Sequence, residues 1–148
     1  MKTESFQYSS LRNSHAHCLV CGALNPIGLR LDFHVEDVRT VSASLKVGWL
    51  LQGYSGVLHG GVISSLLDAA MTHCLFHRGI EAVTAELLVR YLRPVPVDAP
   101  LELRAILTHE FPPLYRLRAE LRQADQLMAY ARAKFVHRPS DCVRPGSV

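Results

Sequence analysis

Two glycines followed by a single carboxylate mark the stretch of the sequence best suited to chemistry, VLHGGVISSLLDAAM at residues 57–71. Gly60 and Gly61 open an apolar run that contains Asp68. The first turn of a helix leaves backbone N–H groups without partners, and the helix dipole adds partial positive charge there. Because glycine has no Cβ, a carbonyl oxygen of another molecule can approach these N–H groups closely. The pattern is typical of a site that stabilises an oxyanion in acyl transfer.

Asp68 would be the reactive acid of such a site, either attacking a carbonyl carbon or activating water. Ser64, Asp68 and Thr72 are spaced four residues apart, so they form one polar stripe along the helix. Both features also have a purely structural interpretation. Glycines permit a tight connection from loop to helix, and a buried acid can bond to a backbone amide. The residues alone leave these alternatives open.

Composition limits the classes of protein to consider. The chain has 148 residues, 49% of them hydrophobic, which is enough for one domain with a substantial core. A formal charge of +3 without a basic stripe argues against a nucleic-acid partner. No apolar window reaches the roughly 18 residues of a membrane span, and the first residues lack the apolar stretch of a signal peptide. We therefore expect a cytoplasmic protein with reduced cysteines.

The hydrophobic periodicity predicts one helix among strands. A helix from about Leu58 to His77 is apolar on most faces, so we expect it to be wrapped by other elements and closed by a second chain. Segments with alternating character predict strands, and QADQ at residues 123–126 predicts a hairpin turn. These segments are residues 27–36, 39–47, 82–94, 101–111, 114–123 and 126–138. The class is α+β, one long central helix wrapped by an antiparallel sheet of five to six strands. The domain is expected at 18–138, between an N-terminal arm at 1–17 and a flexible tail at 139–148.

Two motifs together resemble the hotdog-fold thioesterases of the PaaI-like, 4HBT superfamily. GYSGVLHGGVISSLLDAAM at residues 53–71 contains an HGG triplet, His59 to Gly61, that resembles the opening of the family's central helix. Asp68 matches the acid that follows the first glycine by eight residues. The segment AVTAELLVRYLRPVPVDAPL at residues 82–101 resembles the next strand of the family, and the resemblance extends over residues 18–137. The matching strand positions are Thr84, Leu87, Val89, Tyr91, Arg93 and Pro94.

The resemblance implies an acyl-CoA thioesterase. In it, Asp68 would be the nucleophile or general base, and the Gly60 or Gly61 N–H would polarise the thioester carbonyl. The glycines of one chain would face the acid of its partner in a homodimer, which would pair into a tetramer. Coenzyme A would be part of the substrate, and no separate cofactor is expected.

Further positions take their roles from the same resemblance. Gln52 would orient water or the carbonyl, although its spacing is one residue longer than in some relatives. Thr72 and Thr84 would keep a hydroxyl near the thioester. Arg90 and Arg93 would contact the pantetheine or phosphates of CoA.

Other functions must be weighed against this one. A hotdog dehydratase or hydratase would pair a catalytic histidine with the helix acid, and the polar stripe carries none. His59 suggests a Ser-His-Asp hydrolase, but no G-x-S-x-G elbow exists, so we expect His59 to pack or hydrogen-bond at the helix entry. A non-catalytic acyl-CoA-binding protein remains an alternative.

Histidines and cysteines suggest metal binding at two places. HAHCLVCG at residues 15–22 offers His15, His17, Cys18 and Cys21. One C-x-x-C supplies half of a structural zinc site, and no second pair follows, so we expect no metal there. The H-x-x-x-H at residues 73–77 lacks the glutamate of H-E-x-x-H, so we expect both histidines to cap and solvate the last helical turn.

Overall fold

One helix and six strands account for the secondary structure expected from the periodicity. The computed structural model describes residue 11 and residues 13–138. Within this range all strand pairings are antiparallel, in a sheet of order β1-β2-β4-β5-β6-β3. The predicted α+β class is confirmed. The elements are β1 (His34–Asp37), β2 (Thr40–Lys46), α1 (Gly60–Phe76), β3 (Ala82–Tyr91), β4 (Pro100–Phe111), β5 (Leu114–Gln123) and β6 (Gln126–His137).

Helix α1 has well-defined ends close to those predicted. His59 is the N-cap residue, and its side chain accepts a hydrogen bond from the Gly61 N–H. Just beyond the C-terminus, Gly79 adopts a φ of 68° and Ile80 N–H bonds to the Leu75 carbonyl, which closes the last turn. The 17 residues span about 26 Å at 1.5 Å per residue. The helix can therefore run across the sheet.

The core lies between α1 and the inner face of the sheet. Leu66, Leu67 and Met71 of the helix are fully buried. Strands β4, β5 and β6 alternate buried and exposed residues, and alanines let the helix approach the sheet closely. Truncating one such leucine to alanine typically costs about 2–5 kcal/mol. Buried residues of these strands include Leu101, Leu103, Ala105, Leu107, Leu117, Ala119, Leu121, Ala129, Ala131 and Phe135.

The hairpin predicted from QADQ is confirmed. Strands β5 and β6 pair up to Gln123 and Gln126, leaving a two-residue turn. Ala124 and Asp125 adopt φ values of 47° and 63°, the positive pair that a type I′ turn requires. This turn twists in the same sense as its strands.

The first predicted strand is much shorter than the alternation suggested. It begins at His34 rather than at residue 27. Arg30 has a φ of 52°, which interrupts extended backbone. The N–H groups of Leu29 and Leu31 bond to the carbonyls of residues 19 and 20 instead of a strand partner. The buried side chains in this stretch therefore belong to a coil that packs on the core, and the alternation was wrong as evidence for a strand.

Strand β3 forms one edge of the sheet. It pairs only with β6 among the described strands, and most of its residues are exposed. Val83, Leu88 and Tyr91 keep about half of their surface accessible, at 50%, 49% and 53%. An edge strand of this length leaves a row of backbone groups available for pairing with another chain.

The predicted domain boundaries remain predictions. The tail at 139–148 and most of the arm at 1–17 lie outside the described residues. The stretch before β1 contributes Val20, Cys21 and Leu31 to the core. Among the described residues, no helix combines the length and apolar character needed to cross a bilayer.

Candidate active site

The start of α1 presents one backbone donor that is used within the chain and one that is not. The Gly61 N–H donates to His59 Nδ1 at 2.9 Å. The Gly60 N–H donates to no group among the described residues. Of the two amides expected to polarise a carbonyl, Gly60 is therefore the one whose N–H is available. His59 hydrogen-bonds at the helix entry, the arrangement expected for it.

Glycine at position 60 has no explanation within the described chain. A Cβ there would lie 3.5 Å or more from the ring of Tyr91, an ordinary contact distance. A Cβ at Gly61 would approach the His59 ring at 3.0 Å, which is tighter. Gly60 also lies in α1, where any residue adopts the backbone conformation. Among the described residues, neither packing nor backbone conformation requires glycine at this position, and its lack of a side chain leaves the helix terminus open to approach from outside.

Tyr91 holds the first helical turn against the end of β3. Its hydroxyl donates to the Gly60 carbonyl at 3.0 Å and lies 2.6 Å from Ser64 Oγ. Sequence reasoning noted Tyr91 only as a motif position. A groove of about 340 Å³ opens beside this contact, and its wall includes Gly60, Tyr91 and Arg93.

Asp68 lies two turns further along the helix, half-buried and held by β3. Thr84 Oγ1 donates to Asp68 Oδ1 at 2.7 Å. Burial raises the pKa of Asp68, while this hydrogen bond and the nearby His15 act in the opposite direction. Asp68 is thus a positioned carboxylate with increased basicity, as a general base requires.

Thr72 and Gln52 are engaged within the chain. Thr72 is buried, and its hydroxyl donates to the Asp68 backbone carbonyl at 3.1 Å. Gln52 Oε1 accepts from the Gly56 N–H at 2.8 Å, which orders the loop before the helix. Thr72 lines the same cavity as Asp68, whereas Gln52 lies on the loop that leads to Gly60.

The two arginines differ in position. Both are exposed, and Arg93 lines the groove beside Gly60. Arg90 lies within β3, opposite Tyr130, and forms no ion pair with the described residues. The groove therefore brings Arg93, but not Arg90, to the helix N-terminus.

A second cavity, of about 210 Å³, contains Asp68 and a histidine that sequence reasoning did not place beside it. His15 lines this cavity together with Asp68 and Thr72. Burial lowers the pKa of His15, and the carboxylates of Glu81 and Asp68 oppose that shift. Only tertiary packing brings the N-terminal segment onto α1, so no local pattern could have revealed this neighbour.

The histidine and cysteine candidates separate into distinct groups. The ligand atoms of His15, Cys18 and Cys21 all lie within 4.8 Å of one another, whereas His17 is exposed and outside this group. His73 is only 1% exposed and stacks on Phe33 at 4.4 Å, so the expectation that it is solvated was wrong. The apolar ring face packs in the core, which its helical spacing could not show. His77 is the C-cap residue.

Gly60 and Asp68 do not meet within one chain. They are eight positions apart in α1, which corresponds to about 12 Å along the helix. Gly60 faces the groove beside Arg93, and Asp68 faces the cavity beside His15. In acyl transfer, the nucleophile and the donor that polarises the carbonyl must both lie within about 3 Å of the same carbonyl group. Asp68 and Gly60 of one chain are too far apart for that.

Comparison with known proteins assigns the chain to a family. Residues 55–130, just over half of the chain, match the model of the Thioesterase superfamily. The chain belongs to this superfamily. The match includes the HGG triplet, Asp68 and all of β3, and the six-stranded sheet with its long central helix is the hotdog fold.

Individual relatives agree with this assignment. The acyl-coenzyme A thioesterase THEM4 of Mus musculus is 39% identical over 65 residues, which are 44% of this chain and 27% of that protein. The match thus spans about a quarter of this curated relative. Among solved structures, the thioesterase superfamily protein RHA08564 has a TM-score of 0.76 and 28% identity, covering 82% of this chain and 63% of that one. The PaaI protein of the E. coli phenylacetic acid degradation operon has a TM-score of 0.73 and 20% identity, covering 93% and 100%.

Proposed function

We propose that this protein hydrolyses acyl-CoA thioesters in a homodimer, with Asp68 of one chain and the Gly60 N–H of the other acting on the same carbonyl group. The observation that carries the proposal is the Asp68 carboxylate, fixed by Thr84 at 2.7 Å in a cavity that a small molecule can enter. A hydrogen-bonded carboxylate of raised pKa is suited to accept a proton from water. The similarity to an acyl-coenzyme A thioesterase supports the choice of substrate class.

The glycine half of the site supports the same reaction. The Gly60 N–H is an unused donor at the positive end of α1, and no packing contact within the described chain requires glycine there. A thioester carbonyl that approaches this N–H would gain negative charge at its oxygen during attack. A single backbone donor of this kind typically contributes about 10²–10³-fold to the rate.

The reaction follows from these two groups. Asp68 takes a proton from a water molecule, whose oxygen bonds to the carbonyl carbon while the Gly60 N–H stabilises the oxyanion. The tetrahedral intermediate collapses, the C–S bond breaks, and CoA leaves as a thiolate that takes up a proton. The alternative is direct attack by Asp68, giving an anhydride that water then hydrolyses. Both routes yield a carboxylic acid and free CoA.

The separation of the two groups supports a dimer. About 12 Å of helix lies between Gly60 and Asp68, so a second chain must bring its own helix alongside in the opposite direction. The exposed edge of β3 offers a surface for that pairing, because it carries half-exposed apolar side chains and faces no other strand among the described residues. A two-fold axis would then create two equal sites. We further propose that two dimers form a tetramer.

The coenzyme A part of the bound substrate would extend away from the thioester along the groove beside Gly60. Arg93 lines this groove and is the cation best placed for contact with pantetheine or phosphate. Arg90 would act only if the nucleotide followed β3 further.

Chromatographic measurement of free CoA tests the activity directly. Short, medium, long and aromatic acyl-CoAs are incubated with the purified chain and with Asp68→Asn. We expect release of CoA from at least one of them by the wild type only. Binding of acyl-CoA without any release would establish the non-catalytic alternative. In a single turnover in ¹⁸O-water, label in the Asp68 carboxyl group would establish the anhydride route with attack of water on the Asp68 carbonyl, because the general-base route never exchanges the oxygens of that carboxylate.

His15 favours a second candidate, hydration or dehydration of an acyl thioester. The argument against this function was the lack of a histidine near the helix acid, and the structure places His15 in the cavity of Asp68. Addition of water to an enoyl-CoA would give a hydroxyacyl-CoA without releasing CoA. Loss of the enoyl absorbance with no free CoA would favour this candidate over hydrolysis.

A further inference from the structure

The turn at residues 18–22 holds two cysteine side chains in a defined arrangement. The Gly22 N–H donates to the Cys18 carbonyl at 2.9 Å, and the Val20 N–H points to Cys18 Sγ at 3.4 Å. A Cβ at Gly22 would lie 2.4 Å from Cys18 N and 2.5 Å from its carbonyl oxygen, so only glycine fits. This contact fixes the position of the Cys18 sulfur, and cysteine sulfur is a common metal ligand in proteins. The turn is therefore built around Cys18.

His15 completes a set of three ligand atoms. Its Nδ1 lies 3.9 Å from Cys21 Sγ, and all three ligand atoms of His15, Cys18 and Cys21 are within 4.8 Å of one another. In tetrahedral zinc sites, metal–ligand distances of about 2.0–2.3 Å place the ligand atoms roughly 3.5–3.8 Å apart. Side-chain shifts of about 1 Å would thus bring the set into coordination geometry.

The chemical types of the three ligand atoms favour zinc over other metal ions. Two thiolates and an imidazole suit zinc, whereas magnesium and calcium require oxygen ligands. The sequence argument against a metal was the missing second cysteine pair, but a site with three protein ligands needs no second pair. Zinc sites of this composition keep their fourth position for water or another small ligand.

We infer that His15, Cys18 and Cys21 form a zinc site whose fourth position opens into the cavity shared with Asp68 and Thr72. These five residues are among those that line the cavity, and its volume of about 210 Å³ provides the space for that ligand. A bound metal would also fasten the N-terminal segment onto α1, since the three ligands precede β1 and the cavity wall opposite them is helical. This inference does not depend on thioesterase activity.

Metal content and cobalt spectroscopy test the site. The full chain is purified with its thiols reduced and without chelator, and its zinc is measured by mass spectrometry. Apoprotein is then titrated with Co²⁺, which gives thiolate charge-transfer and tetrahedral ligand-field bands when it binds cysteine sulfur. We expect about one zinc per chain, saturable cobalt bands, and a higher melting temperature with zinc.

Matched variants locate the ligands. We expect Cys18→Ser and Cys21→Ser to lose the charge-transfer bands, and His15→Gln to raise the metal Kd at least about 10-fold. Cys74→Ser is the control for cysteine loss, because Cys74 is buried elsewhere and bonds to the Arg39 carbonyl. His17→Gln is the control for histidine loss. Both controls should match the wild type in zinc content and spectrum.

Two results would overturn the inference. One is reduced wild-type protein with no substantial zinc and no cobalt charge-transfer band. The other is a Cys18→Ser variant whose bands equal those of the wild type. Circular dichroism of each variant, compared with Cys74→Ser, shows whether a lost signal reflects lost ligands or lost folding.

Discussion

The hydroxyl of Thr84 lies 2.7 Å from the carboxylate of Asp68 and joins the edge strand to the central helix at the candidate site. This bond favours the charged form of Asp68, whereas burial favours the neutral form. Because burial is the larger effect, the pKa of Asp68 is raised overall. A base must be deprotonated, so kcat/KM is expected to rise with pH through this raised pKa.

Thr84→Val should move that rise to higher pH. Valine keeps the shape of threonine but removes the donor, so the burial effect on the pKa of Asp68 is then opposed only by the nearby His15. We expect the acidic limb of the kcat/KM profile to shift to higher pH. Thr84→Ser is the matched control, since it keeps the hydroxyl and should keep the profile. Identical profiles for wild type and Thr84→Val would show that Asp68 is not the titrating base.

Asp68→Asn separates a catalytic role from a structural one. Asparagine retains the size and the hydrogen-bond acceptor but cannot accept a proton, so kcat should fall about 10²–10⁴-fold with a smaller change in KM. Asp98→Asn is the control, because Asp98 is exposed and asparagine tolerates its φ of 64°.

Thermal denaturation of Asp68→Asn gives a second readout. A raised folded-state pKa means that Asp68 favours folding below its unfolded pKa and loses this contribution as pH rises through the folded value. The melting temperature of the variant should therefore be no lower than that of the wild type at neutral pH. Any increase in melting temperature over the wild type should disappear in acid, where Asp68 is protonated. A lower melting temperature together with unchanged turnover would establish a structural role instead.

Gly60→Ala tests the donor at the helix terminus. The new methyl group meets Tyr91 only at ordinary contact distance, so the melting temperature should be nearly unchanged. The methyl group would obstruct a carbonyl that approaches the N–H, and we expect kcat/KM to fall at least about 10-fold. Gly48→Ala is the control, since its φ is −88° and its Cβ would meet nothing closer than 3.8 Å. Full activity of Gly60→Ala would place the carbonyl elsewhere.

Mixing two inactive variants tests whether the site is shared between chains. Asp68→Asn and Gly60→Trp are unfolded together and refolded as a mixture. A mixed dimer contains one intact site, formed by Asp68 from one chain and Gly60 from the other. Random pairing should restore about a quarter of wild-type activity.

Light scattering should give a mass of two or four chains of 16.5 kDa. A monomer, or no recovery from demonstrated mixed dimers, would contradict the shared site.

Local sequence patterns predicted the elements whose burial alternates along one face. Strands β4, β5 and β6 begin and end within one residue of their predicted bounds, since each has a buried and a solvated face. The same reasoning failed for the segment before β1, where it predicted a strand from residue 27. Leu31 and Phe33 are buried there, but their backbone is irregular. Alternation of apolar and polar residues indicates burial of one face. The positive φ of Arg30 interrupts the extended backbone here, so side chains can be buried in an alternating pattern without belonging to a paired strand.

The candidate site was predictable as far as its residues share one helix or one sequence motif. The interval from Gly60 to Asp68 is visible in the sequence, and so is the hydroxyl of Thr84 as a motif position. The packing of His15 beside Asp68 and the hydrogen bond from Tyr91 to the first helical turn depend on contacts between distant segments. Such contacts are set by the assembled core, so no single stretch of sequence encodes them.

The eight-residue interval between Gly60 and Asp68 sets the distance and the angle around the helix axis between the backbone donor and the carboxylate. Inserting or deleting one residue would turn the carboxylate by about 100° around the helix axis and displace it by about 1.5 Å. Thr84 could no longer reach it, and in a symmetric dimer both sites would be damaged by the same change. This stretch of α1 should therefore accept exchanges among apolar residues of similar volume while rejecting any change in length.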